Sequence, residues 1–326
     1  MVRIPLSPPH FTARSNNGYL PTWSVMIPVY NCSAFLPDTL KSVLINNIPE
    51  EEMQIEVIDD ASTDADIEAI VKQIGKGRIK YHRQLENVGS LRNFETCINR
   101  SAGNLVHILH GDDRVKKGYY EKIAHLFHHY PDAGAAFCRF AYIDEKGHQL
   151  YLNPVESKKE EILKNWLLLI AKKQRIQYAA ITVRRVVYEK LGGFYGLTYA
   201  EDWEMWVRIA KHYPVAYTPE ILAEYRKHTE SISGVKFLEG EYMFDLKAAM
   251  ELIQAHLPIE RRKQVLRKSK IFYSAYALKI ANQHWNNLHD KKSVLANINE
   301  GLKMQKNIFN FFKAAKLYLK ILLRWR

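Results

Sequence analysis

Three pairs of adjacent carboxylates stand out in this chain of 326 residues: Asp59-Asp60, Asp112-Asp113 and Glu201-Asp202. The first two each close a short apolar run, and the polar pair Tyr30-Asn31 closes another, WSVMIPVY. Loops that follow parallel strands converge on one edge of a sheet, where ligands of open α/β folds sit. A ligand facing several carboxylates must bring cations or hydrogen-bond donors. A nucleotide brings both, through its base and ribose and through a divalent ion on its phosphates. Asp112-Asp113 offers hard oxygen ligands suited to Mg2+ or Mn2+, and Gly111 allows backbone to approach phosphates closely. An ion held there would neutralise charge on a departing diphosphate. An isolated Asp-Asp turn is often only solvated; its place after an apolar strand, beside the Asp59-Asp60 loop, favours a site.

Glu201-Asp202 opens an apolar helical pattern, Trp203, Trp206, Val207, Ile209, Ala210. The helix dipole favours ionised carboxylates in a first turn, although capping alone accounts for such a pair out of context. His125, His128 and His129 share one helix face, a spacing that can hold zinc. No carboxylate or cysteine completes that set nearby, so it reads as a solvated face.

The elements that position these groups follow from periodicity. Strands are expected at Trp23–Tyr30, Ile55–Ile58, Ile79–His82, Leu105–Leu109 and 135–143, and helices after Ser33, over Leu91–Arg100 and over 116–129. Thr63 and Asp64 are candidate caps for the helix after the second strand. Alternation with short connections is the signature of βαβ units and a largely parallel sheet. Beyond Asp144 the pattern changes: an apolar helix near 162–171, a strand near 178–183, the helix at Glu201, then helix throughout from about Val235. The domain reading is a flexible lead-in over 1–21, a catalytic domain over 22–234 and a helical region over 235–326.

Composition is that of a globular protein, 47% apolar and 25% charged. Three dispersed cysteines, Cys32, Cys97 and Cys138, argue against a disulfide framework and fit a reducing compartment. The net charge of +12 is concentrated: residues 241–326 hold 17 Lys/Arg against 6 Asp/Glu, and residues 1–240 hold 30 against 29. No secretory signal and no membrane-spanning stretch is visible, so a cytoplasmic protein, peripheral at the inner face of the cell membrane, is expected.

The segments VMIPVYN, VIDDASTD, ENVGSLRN, HILHGDD, LGGF and AEDWEMWVRIA, in that order over residues 22–230, resemble glycosyltransferase family 2. The resemblance implies a GT-A fold, a Rossmann-like sheet flanked by helices, here with a C-terminal helical extension. It implies an inverting sugar transferase that uses a nucleotide-sugar donor, with UDP the first choice, and a divalent metal. Carried over by position, Pro28, Tyr30 and Asn31 line the base, Asp60 bonds the uracil or ribose and Asp59 supports the turn. Asn87, Gly89 and Arg92 approach the ribose and diphosphate, Asp112 holds the sugar or ribose, and Asp113 binds the metal. Asp202 is the catalytic base, with Glu201 orienting the acceptor or supporting Asp202. Tyr225-Arg226-Lys227-His228 resembles the stretch that closes over the diphosphate, and His228 is a candidate metal or phosphate contact. His110 stands where the family usually carries an Asp or a small residue. Leu323-Arg324-Trp325 is similar to the end of the Gln-x-x-Arg-Trp motif of processive relatives, but Ile321 holds the Gln position, which points to single-sugar transfer.

Residues 306–325 pattern as an amphipathic helix, with Lys313, Lys316, Lys320 and Arg324 on one stripe and Phe311, Phe312, Leu319, Leu322 and Leu323 around it. Such a helix fits an anionic membrane interface and, alternatively, packing on the catalytic domain. The expected acceptor is a saccharide or lipid-linked saccharide. Apolar surface on helices 235–305 would suit a homodimer. A nucleic-acid partner is not expected, because the tail's aromatics belong to an apolar face rather than to a basic stacking surface. The competing class is a catalytically silent nucleotide-sugar-binding or scaffold protein.

Overall fold

The computed structural model describes residues 3–13, 20–229 and 231–323. Its strands are β1 (Trp23–Val29), β2 (Met53–Asp59), β3 (Lys80–Arg83), β4 (Leu105–Ile108), β5 (Arg114–Val115), β6 (Ala135–Ile143), β7 (Gln149–Leu152), β8 (Glu161–Ile162), β9 (Ile181–Arg184) and β10 (Val215–Arg226). Its helices are α1 (Leu36–Leu44), α2 (Ile67–Gly75), α3 (Ser90–Arg100), α4 (Tyr119–His129), α5 (Trp166–Ile170), α6 (Arg185–Leu191), α7 (Glu201–His212), α8 (Ile232–Glu239), α9 (Tyr242–Gln254), α10 (Ile259–Leu288), α11 (Lys291–Met304) and α12 (Ile308–Leu322). The chain divides into two compact units. The first comprises Met1–Trp166, Ile176–Thr198 and Arg208–Lys227, and the second Leu167–Arg175, Tyr199–Val207 and His228–Arg326.

The first unit is built on one sheet of order β3-β2-β1-β4-β9-β6-β10-β5, with β7 added to β6 and β8 to β10. Its β3-β2-β1-β4 half is wholly parallel. Every residue of β1 is buried, as expected of a strand covered on both faces; burying a side chain such as Ile27 contributes about 1.5–3 kcal/mol. Pro28 is tolerated in this central strand because it lies beyond the last β4 pair, Met26 with Ile108. The other half is mixed, because β9 runs antiparallel between β4 and β6.

The structure departs from the local expectations at two points and adds one long strand. The cap of α2 is Asp66, whose Oδ1 accepts the Ala69 N–H at 2.9 Å, while Asp64 instead accepts the Ser33 N–H at 2.8 Å. The helix expected near 162–171 is split into β8 and the short α5. The long strand β10 was not anticipated; Pro219 lies within it, and its register with β6 shifts between Thr218 and Ile221.

The second unit centres on α10. Leu278, Ala281 and Trp285 pack with Val294 and Ile298 of α11 and Ala314 and Leu317 of α12. No helix among the described residues is long and apolar enough to cross a membrane. Arg324 and Trp325 lie outside the described residues.

Candidate functional site

At the carboxyl end of the parallel half, the turn after β4 folds back on β1: the Gly111 N–H donates to the Pro28 carbonyl at 3.1 Å. A side chain at Gly111 would meet Cys32 Sγ at 2.8 Å and Val29 Cγ2 at 2.9 Å. The glycine therefore serves this close crossing of two loops. Thr39 of α1 holds the turn from below, its hydroxyl placed 2.9 Å from the Gly111 carbonyl and 2.7 Å from the Asp113 carbonyl.

Asp113 is buried. Its Oδ1 accepts the Arg226 N–H at 2.9 Å, and its Oδ2 has no hydrogen-bond partner. The Nε2 of His110, whose ring lies against Phe94 and Tyr178, is likewise buried and unpartnered. Donor atoms of His110, Asp112 and Asp113 all fall within 4.8 Å of one another, the one such convergent set among the described residues. Burial, and then the Asp112 charge, pushes the Asp113 carboxyl well above the usual range, and burial lowers the His110 imidazole. A buried carboxylate oxygen without a partner is costly, and a cation supplied to this oxygen and a neutral imidazole would remove that cost. The residues thus fit a divalent ion. The histidines of α4 form no such set; His125 and His129 stack, with His125 near Glu160.

Arg226, 1% exposed, fixes the same turn. Its guanidinium donates to the carbonyls of Asp112 (2.8 Å), Asp144 (3.2 Å) and Glu145 (2.8 Å), and reaches Asp38 at 3.3 Å. Its motif was noticed in the sequence, but its role depends on contacts more than 80 residues away along the chain.

The neighbouring loops are also tied to one another. Asn31, in a left-handed conformation at φ 47°, donates its N–H to Ser62 Oγ and accepts the Thr63 N–H on Oδ1. Asp59 accepts from Ser62 N–H, the Tyr81 hydroxyl and Arg83, so it braces the turn. Asp60 accepts the Val88 N–H at 2.7 Å and the Gly89 N–H at 2.9 Å, which fastens the loop before α3. Burial raises the Asp60 carboxyl, against the pull of those two amides. Arg92 bonds Glu95 on its own helix, and Tyr30 is half exposed.

Glu201, Asp202 and His228 belong to the second unit. Ala200, immediately before the carboxylate pair, has φ 66°, a strained conformation for a residue with a Cβ. Asp202 Oδ1 accepts the Trp203 N–H at 2.6 Å, and Oδ2 accepts from Gln174 Nε2. Gln174 is itself held: its N–H donates to the Tyr273 hydroxyl of α10 at 3.0 Å, and its Oε1 accepts the Arg175 N–H at 2.9 Å. The Trp203 indole donates to the Ile170 carbonyl at 2.7 Å and anchors the start of α7. Burial, then Glu201, raises the Asp202 carboxyl well above its ordinary range. Gln174 escaped the sequence reading; a single amide in a basic stretch carries no pattern. His228 precedes α8, and its carbonyl accepts the Ser231 hydroxyl at 2.9 Å.

The profile of glycosyl transferase family 2 matches residues 24–192. Uncharacterized protein MT1568 of Mycobacterium tuberculosis (strain CDC 1551 / Oshkosh) is 29% identical over 236 residues, 69% of this chain and 72% of that one. TuaG of Bacillus subtilis (strain 168), a glycosyltransferase named for teichuronic acid biosynthesis, is 29% identical over 67% of this chain and 83% of its own length. Among solved structures, S. aureus TarS 1–349 in complex with UDP-GlcNAc superposes with a TM-score of 0.59 at 13% identity, covering 94% of this chain and 91% of that one. The mannosyltransferase PcManGT of Pyrobaculum calidifontis, in complex with GDP-Man and Mn2+, gives 0.58 at 15% identity, covering 99% and 91%. These likenesses carry the GT-A fold, and with the profile spanning more than half of its length the chain belongs to glycosyl transferase family 2.

Proposed function

We propose that the protein transfers a sugar from a nucleoside-diphosphate donor, UDP-linked in the first instance, to an acceptor hydroxyl with inversion at the anomeric carbon. The observation that carries this reading is the buried, unpartnered Asp113 Oδ2 beside Asp112 and His110, at the sheet edge where nucleotides bind in such folds. Asp113, with Asp112 and His110, would hold Mn2+ or Mg2+, which supplies positive charge to the departing diphosphate. Pro28, Tyr30, Asn31 and Asp60 take the nucleoside, and Asn87 and Arg92 the ribose and diphosphate. His228 is a further contact to phosphate or metal. Asp202 accepts the proton of the acceptor hydroxyl as that oxygen bonds the anomeric carbon and the bond to the diphosphate breaks on the opposite face. Its raised proton affinity suits a base, and Glu201 supports it. The relatives' ligands, UDP-GlcNAc for TarS and GDP-Man with Mn2+ for PcManGT, support a nucleotide-sugar donor and a metal. Incubation with UDP-, GDP- and dTDP-sugars and a saccharide acceptor, followed by NMR of the new linkage, tests this. A product of inverted configuration is expected; a retained configuration, or no turnover with any donor, would refute it.

The same reading places the enzyme at an anionic membrane surface through α12. The helix buries only a narrow seam, Asn310, Ala314 and Leu317. Phe309, Phe312, Leu319 and Leu322 are 57–78% exposed, with Lys313 and Lys316 also in solvent. Lys320 is bonded to Asn282 and Asn286 of α10. An apolar face flanked by cations suits the headgroup boundary, each cation near such a surface contributing about 1 kcal/mol. A lipid-linked saccharide acceptor would be met there.

A further inference from the structure

The family profile begins at residue 24, yet residues 3–13 before it are bound into the first unit. Arg3 Nη2 donates to the carbonyl of Asn87 at 2.8 Å and to its Oδ1 at 2.6 Å. The Pro5 carbonyl accepts the Gly196 N–H at 2.8 Å, and the Pro9 carbonyl accepts the Gly193 N–H at 2.9 Å. Phe11 is 6% exposed and lies over Gly193, where an added Cβ would come within 3.0 Å of its ring. At Gly192, with φ 76°, an added Cβ would stand 2.6 Å from Pro8. Two glycines of the LGGF segment are thus shaped to receive this arm. Prolines give the arm little conformational freedom to lose, and their carbonyls meet turn amides that need acceptors.

We propose that Arg3 is a positioning residue for the nucleotide-diphosphate donor, with Arg3–Phe11 a strap that fastens the Asn87–Gly89 loop from outside the segment that the family profile matches. Asp60 grips that loop through the amides of Val88 and Gly89, and Arg3 grips it through Asn87. A guanidinium can only donate, so the Asn87 atom facing it is the oxygen. The amide flip is therefore set, and Nδ2 is left as the donor end. Donors held in place suit an acceptor-rich ligand such as ribose hydroxyls or a diphosphate. The inference rests on the assignment of this loop to the donor made above.

Calorimetric titration with UDP and with GDP, each with Mn2+, tests it on the full chain. Wild type, Arg3→Ala, Arg3→Lys, Asn87→Ala and the Arg3→Ala/Asn87→Ala pair are compared. Because the contact is exposed, Arg3→Ala should weaken binding about three- to five-fold, with Arg3→Lys recovering most of it. In the Asn87→Ala background, Arg3→Ala should add nothing. Melting midpoints should stay within about 2 °C of wild type, which separates positioning from unfolding. Undiminished binding by Arg3→Ala, or an equal loss in the Asn87→Ala background, would overturn the strap while leaving the donor site standing. Failure of the wild type to bind either nucleotide would overturn the donor site itself, and Arg3's role with it.

Discussion

Replacing Asp202 by Asn should remove activity and raise stability together. The carboxylate is buried and accepts from Trp203 N–H and Gln174 Nε2. Burial and Glu201 raise its proton affinity above the ordinary 3.8. A raised carboxyl lets the unfolded chain ionise first. Stability therefore falls as pH rises from about 3.8 to the folded value, and stays lower above it. Each unit of elevation is worth about 1.4 kcal/mol. Asn removes that cost, but its amide can accept from only one of the two donors, which forfeits about 1 kcal/mol. At pH 7 the variant is expected to be the more stable of the two, and the gap between variant and wild type should close below pH 4. Loss of a general base lowers kcat about 10²–10⁴-fold, with donor affinity unchanged. Initial rates of nucleotide release, donor titration and thermal melting across pH would measure all three. The wild-type rate should also fall on acidification at a pH above the ordinary carboxylate range. A variant with near wild-type kcat, or one destabilised at pH 7, would refute the reasoning.

Further outcomes follow from individual contacts. Gln174→Ala removes a donor to the Asp202 carboxylate, so the acid limb of the rate profile should move to higher pH while the KM for donor holds. Arg226→Ala leaves the Asp112, Asp144 and Glu145 carbonyls without their cation and should cost about 3–5 kcal/mol, read by thermal melting. Phe312→Glu with Leu319→Glu should abolish sedimentation with phosphatidylglycerol vesicles but not turnover of a soluble acceptor; unchanged sedimentation would remove α12 as the membrane face.

The parallel half was legible in the sequence because continuous apolar runs such as Trp23–Val29 end abruptly in polar pairs, and the period of the following helices is unbroken. The turn-bracing role of Asp59 follows from the family resemblance rather than from the pattern, and its contacts with Ser62, Tyr81 and Arg83 agree with it. Strand β10 was not legible, because Pro219 interrupts its alternation and only pairing with β6 and β5 makes it a strand. The capping of α2 was misplaced by two residues because Asp64 has a competing partner in Ser33, 31 residues earlier. At the site, acidic pairs were visible as pairs. His110 reads in the sequence as a departure from the family pattern rather than as a candidate ligand, since only the fold brings its nitrogen within 4.8 Å of the Asp112 and Asp113 donor atoms. Arg3 and Gln174 are single polar residues whose meaning lies entirely in distant partners.

The central claim is that Asp113 and its neighbours hold a divalent ion that in turn holds a nucleoside diphosphate. Its most direct measurement is calorimetric titration of UDP into the protein with Mn2+ and with EDTA, repeated on Asp113→Asn. Saturable binding to the wild type only with Mn2+, and none to Asp113→Asn, is the result expected. Equal binding in EDTA, or an Asp113→Asn variant that binds UDP with Mn2+ as the wild type does, would contradict the account.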